Sequence, residues 1–111
     1  MADNFYPADG MKALKKLRSL RPELFKAFVD FDTKAFEEGA LSVKVKELIA
    51  VATAHITQCP YCIDAYTTQC LETGANPEQM MEAVHVAAVM QAGITLVHSV
   101  QMQNHLTRMV L

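Results

Sequence analysis

The 111-residue sequence predicts an all-α fold, and three observations carry that expectation. Apolar residues recur at three- and four-residue spacing through most of the chain, and helix start and stop residues punctuate it repeatedly. No segment shows sustained apolar-polar alternation bounded by turn dipeptides, which strands would need. About six helices are expected, in one domain over residues 1–111 with leading helices over 9–38.

Asp9-Gly10 opens a segment in which Met11, Leu14, Leu17 and Leu20 alternate with basic residues, the pattern of an amphipathic helix. Pro22 suits the first turn of a second helix, whose apolar positions Leu24, Phe25, Phe28, Phe31, Ala35 and Phe36 run to Glu38, with Gly39 as a left-handed stop. Ser42 can cap a third helix reaching about Gln58, and Pro60 at a first-turn position starts a fourth that continues to Gly74. Asn76-Pro77-Glu78-Gln79 reads as cap, N1 proline and capping-box glutamine of a fifth helix to about Met90. Gln91-Ala92-Gly93 is then expected to break the chain before a sixth helix.

Composition narrows the function classes. The chain is 51% hydrophobic with a formal charge of −2, and nine of its ten Lys and Arg fall within residues 12–46. Only Lys12, Lys15, Lys16, Arg18 and Arg21 cluster as a nucleic-acid surface would require, and a basic stripe on a leading helix is the usual solvated face, so no nucleic-acid partner is expected. Met1–Gly10 lacks the basic start and apolar run of a signal peptide, which suggests a cytoplasmic location. His85, Gln91, Gly93, Thr95, His98 and Ser99 interrupt the apolar stretch from Ala83 to Val100, against a membrane span. Residues 83–97 are nevertheless apolar on nearly every face, so a homo-oligomer is expected to cover them.

Chemistry concentrates on Cys59-Pro60-Tyr61-Cys62. Two thiols at this spacing in a first helical turn can close a disulfide, and the amide dipoles there stabilise a thiolate. Half of a zinc site is the competing use. Cys70, His85, His98 and Glu47 supply no second compact pair, so no metal and no other cofactor is expected. A thioredoxin fold is excluded because residues 46–55, before the dithiol, have a helical and not a strand pattern.

Glu47, eleven intervening residues, Cys59-x-x-Cys62, then Glu72, Gly74 and Ala75 together resemble the AhpD-like (carboxymuconolactone decarboxylase) superfamily, over about Glu38 to Gln103. Residues 55–66 and 82–88 further resemble the arsenosugar-biosynthesis-associated peroxidase-like subgroup. The resemblance implies a peroxiredoxin-like thiol peroxidase in which Cys62 attacks a hydroperoxide, Cys59 resolves the sulfenic acid and Glu47 belongs to a proton relay. It also implies an external thiol or disulfide reductant and a hexamer built as a trimer of dimers. Two alternatives share the scaffold: a decarboxylase-type lactone enzyme, and a non-enzymatic metal-binding oligomer.

One position departs from the family pattern, which places histidine four residues after the second cysteine, where this chain has Tyr66. A phenol with a reference pKa of about 10 is no base at neutral pH, though it can donate a hydrogen bond. His55 is expected to take over, from a third helix packed antiparallel to the fourth. Glu47 would then lie about 12 Å further along that helix and about 80° round it. His85 and His98 read as core or interface residues, and Cys70 as a buried filler.

Overall fold

The computed structural model describes Tyr6, Pro7 and residues 9–110, and among these every regular element is an α-helix. The order is α1 (Met11–Arg18), α2 (Pro22–Phe36), α3 (Val43–Thr57), α4 (Pro60–Glu72) and α5 (Pro77–Val110).

Local chemistry sets the boundaries. The Ser42 hydroxyl accepts the Val45 N–H at 3.2 Å and caps α3, and Gln58, in the left-handed region at φ 56°, ends it. Cys59 then caps α4 with Pro60 at its first position, so the corner between α3 and α4 is two residues long. At the start of α5 the capping box forms in full: Gln79 N–H donates to Asn76 Oδ1 at 2.8 Å, and Asn76 N–H donates to Gln79 Oε1 at 3.0 Å.

Two sequence expectations are corrected. α2 ends at Phe36 with Glu37 extended, and Gly74 is the one described glycine at positive φ, so Gly39 makes no left-handed stop. Five helices form instead of six, because α5 runs through Gln91-Ala92-Gly93 without a break. A lone interior glycine costs about 1 kcal/mol relative to alanine, and the surrounding Met90, Gln91, Ala92 and Leu96 are good helix formers. With no proline nearby, nothing else stops the helix.

The core lies where α3 packs on both α4 and α5. Val51, Cys70 and Ala75 are its buried centre, with Leu48, Tyr66 and Met80 packed against them. Cys70 is fully buried, as expected, and its thiol donates to the Glu47 carbonyl at 3.2 Å, tying α4 to α3.

A single chain does not enclose its apolar surface. Its radius of gyration is 19.1 Å, against about 13 Å for a compact domain of this length. Its accessible surface is 9007 Å², against about 6,100 Å² for a compact chain of this mass. Residues 88–109 of α5 are all exposed, including Val89, Leu96, Val97 and Met109. By length and composition Pro77–Met109 could cross a membrane, with a mean hydropathy of 1.5 in its most apolar window.

Candidate active site

The α3–α4 corner holds the dithiol. Cys59 is half-buried at the N-cap of α4, and its sulfur accepts the Cys62 backbone N–H at 3.3 Å. A hydrogen bond from the Cys62 side chain is the main influence that lowers the Cys59 pKa, with the Cys62 and Tyr61 amides adding to it. The same bond, with desolvation and the neighbouring Cys59 charge, raises the Cys62 pKa. Of the two thiols Cys59 is therefore the one that gives up its proton more readily.

Cys62 lines a cavity of about 250 Å³ between α2, α3 and α4, walled by Phe36, Ala50, Thr53, Ala54 and Tyr66. The Tyr66 ring stacks on Phe36 with centroids 5.7 Å apart and an interplanar angle of 13°, which fixes the phenol in the cavity wall. Burial raises the Tyr66 pKa, reinforced by Asp32, Glu47 and Cys62 in that order. Tyr66 thus feels both the dithiol and a pair of carboxyl groups.

Glu47 is one of those carboxyls. It is 3% exposed, and its Oε2 has no hydrogen-bond partner among the described residues. Desolvation raises its pKa, and Asp32 raises it further. Glu47 shares the inward stripe of α3 with Val51 and Ala54, which explains how it approaches Tyr66 without approaching His55.

His55 does not join the cavity within one chain. Its Nδ1 lies 2.7 Å from the Val51 carbonyl of its own helix, and the ring lines a separate hollow with Gln58, Val84, Ala88 and Gln91. One residue step from Ala54 turns a helical side chain by about 100°, which carries His55 from the α4 side towards α5. His85 and His98 are exposed on α5, and no group of three or more His, Cys, Asp or Glu able to hold a metal occurs among the described residues.

Sequence reasoning missed Asp32. It occupies the Phe25-Val29-Asp32-Phe36 stripe of α2, and a carboxylate on an otherwise apolar face was the available signal. It also passed over the segment preceding α1. Tyr6 meets Tyr61 edge-on at 5.8 Å, and a methyl group at Gly10 would collide with the Tyr61 hydroxyl, so this segment packs on the dithiol loop.

A buried glutamate on one helix and a helix-start dithiol on the next, placed by a two-residue corner, define an all-α carboxymuconolactone decarboxylase-like protein. The carboxymuconolactone decarboxylase family model matches residues 22–103, and the chain belongs to that family. It is 47% identical over 73 residues to an uncharacterized cox-locus protein of Paracoccus denitrificans, a stretch covering 66% of each chain. Among solved structures, a carboxymuconolactone decarboxylase family protein of Legionella pneumophila superimposes with a TM-score of 0.70 at 35% identity, covering 83% of this chain and 82% of that one. A family member from Thermotoga maritima, for which a part in antioxidative response has been suggested, gives a TM-score of 0.56 at 28% identity, covering 77% of this chain and 91% of its own.

Proposed function

We propose that the chain is a peroxiredoxin-like thiol peroxidase that reduces a hydroperoxide through the Cys59–Cys62 pair. The observation that carries this reading is the division of the pair. Cys62 faces an apolar cavity beside Tyr66, while Cys59, at the helix start, is the more acidic thiol of the two. The antioxidative role suggested for the Thermotoga maritima relative supports the same reaction class.

The reaction balances with groups already in place. As a hydroperoxide enters the cavity, Cys62 passes its proton to the Cys59 sulfur and attacks the terminal peroxide oxygen. The O–O bond breaks, giving a sulfenic acid on Cys62 and an alkoxide. Tyr66 gives the alkoxide its hydroxyl proton and is reprotonated from Glu47, a carboxyl whose burial favours its protonated form. The Cys59 thiol then attacks the Cys62 sulfur, closing the disulfide and releasing water. An external dithiol reduces the disulfide and is itself oxidised; the proton that Cys59 sheds on regaining its thiolate returns to Glu47. In this scheme the Cys59 thiolate is the base that Tyr66 cannot be, and His55 has no part in the proton path of one chain.

The oligomer belongs to the same proposal. The surface in excess of a compact chain is about 2,900 Å², within the range that obligate interfaces bury. Copies of this chain, in the hexamer implied by its family, account for it through the exposed length of α5. Gln91, His98, Ser99, Gln101 and Gln103 along that helix favour a protein partner over lipid.

Turnover tests the function. Purified protein with an organic hydroperoxide and dithiothreitol should consume peroxide catalytically, Cys62→Ser should abolish consumption, and Glu47→Gln should slow it by about 10²-fold or more. Undiminished consumption by Cys62→Ser would overturn the reading.

A further inference from the structure

The Cys62 cavity does not end at Phe36. A second hollow of about 210 Å³, lined by Ala35, Phe36, Lys46, Ile49 and Ala50, adjoins it along Phe36 and Ala50. On α3 the positions 46, 50, 53 or 54, and 57 fall on one helical stripe, so the two hollows form one trough along that helix. From Lys46 to Ala54 the helix rises about 12 Å. The walls are almost entirely aliphatic or aromatic, and Lys46 is the one charged side chain lining either hollow.

Lys46 is half-buried, and its ammonium donates to the backbone carbonyl of Glu37. A carbonyl satisfies one of its protons without neutralising its charge, and Lys46 is in no ion pair among the described residues, which pair Arg21 with Glu23 and Lys26 with Asp30. The trough thus has a cation at one end, a thiol and a phenol at the other, and an apolar floor about as long as a medium-chain acyl group.

We propose that this trough selects a medium-chain hydroperoxy acid, with its carboxylate on Lys46, its hydrocarbon along Ile49, Ala50 and Phe36, and its hydroperoxide at Cys62. This rests on the peroxidase reading for its chemistry, which is unchanged: the hydroperoxide becomes the hydroxy acid and the dithiol becomes the disulfide. The carboxylate takes no part in bond breaking. It fixes which oxygen-bearing carbon arrives at Cys62, because the trough length sets the separation between the two groups.

Two measurements separate this proposal from the peroxidase reading. The first compares kcat/KM for ω-hydroperoxydecanoate, its methyl ester and tert-butyl hydroperoxide, in wild type, Lys46→Met and Lys46→Arg. The acid should be preferred over the ester by about tenfold in wild type and Lys46→Arg, and the preference should vanish in Lys46→Met, whose use of tert-butyl hydroperoxide should fall no further than its use of the ester. The second measures decanoate binding by calorimetry, which needs no turnover and should weaken by a similar factor in Lys46→Met. Equal use of acid and ester by wild type, with decanoate binding indifferent to Lys46, would overturn the acid site and leave the peroxidase standing. Lys46-dependent decanoate binding without turnover of any hydroperoxide would sink the peroxidase reading and leave the acid site.

Discussion

The Cys59 sulfur accepts the backbone N–H of Cys62 at 3.3 Å, which adds to the larger effect of the Cys62 side-chain hydrogen bond in making the two thiols unequal. The bond can form because Cys59 is the N-cap of α4, the position from which a side-chain acceptor meets the free amides of a first turn. The outer sulfur is thereby the more acidic of the two, and the thiol facing the cavity the less acidic.

Alkylation at neutral pH reads this order directly. Iodoacetamide should label Cys59 at least about tenfold faster than Cys62, since the thiolate is the nucleophile. Cys62→Ala removes the side-chain donor and should raise the Cys59 pKa, visible as a shift of the ultraviolet thiolate absorbance to higher pH. Faster labelling of Cys62 would contradict the division of roles.

Glu47 makes stability depend on pH in a stated direction. Its carboxyl holds a proton more tightly in the fold than in the unfolded chain, so the fold is fully stabilised below the ordinary value of 4.5. That contribution is lost as pH rises through the raised value. Glu47→Gln, which needs no proton, should flatten this dependence and stabilise the chain at pH 8 while impairing activity. Denaturation followed at several pH values measures it.

Asp32 acts on the same carboxyl from α2. Asp32→Asn should lower the Glu47 pKa and move the alkaline limb of the activity profile to lower pH, with little change in melting temperature at neutral pH. A purely structural Asp32 would change the melting temperature and leave the profile in place.

Continuity of α5 through Gly93 is also testable. A Cβ at this glycine meets nothing within 4 Å in one chain, so Gly93→Ala should stabilise the protein by about 0.5–1 kcal/mol in a thermal melt. Destabilisation would mean that another copy of the chain approaches the helix closely there.

Most of the fold was legible because its signals are local. Ser42, Pro60 and the Asn76–Gln79 box each act within one helical turn, and each starts a helix where expected. Gly93 misled because a glycine is a weak stop without a proline or a left-handed turn to support it. At the site, the helix-start position of the dithiol follows from its own neighbours, whereas the surroundings of His55 depend on which face of α3 meets α4 and which meets α5. Asp32 and Phe36 come to Cys62 and Tyr66 from a separate helix, a relation that no short spacing records.

In the proposed cycle Cys62 reacts with peroxide and Cys59 resolves the product. Peptide mass mapping after one equivalent of hydroperoxide tests this most directly. Wild type should lose two hydrogen atoms as a 59–62 disulfide, and Cys59→Ser should instead accumulate a dimedone-trapped sulfenic acid on Cys62. A sulfenic acid on Cys59 in Cys62→Ser, with none on Cys62 in Cys59→Ser, would reverse the two roles.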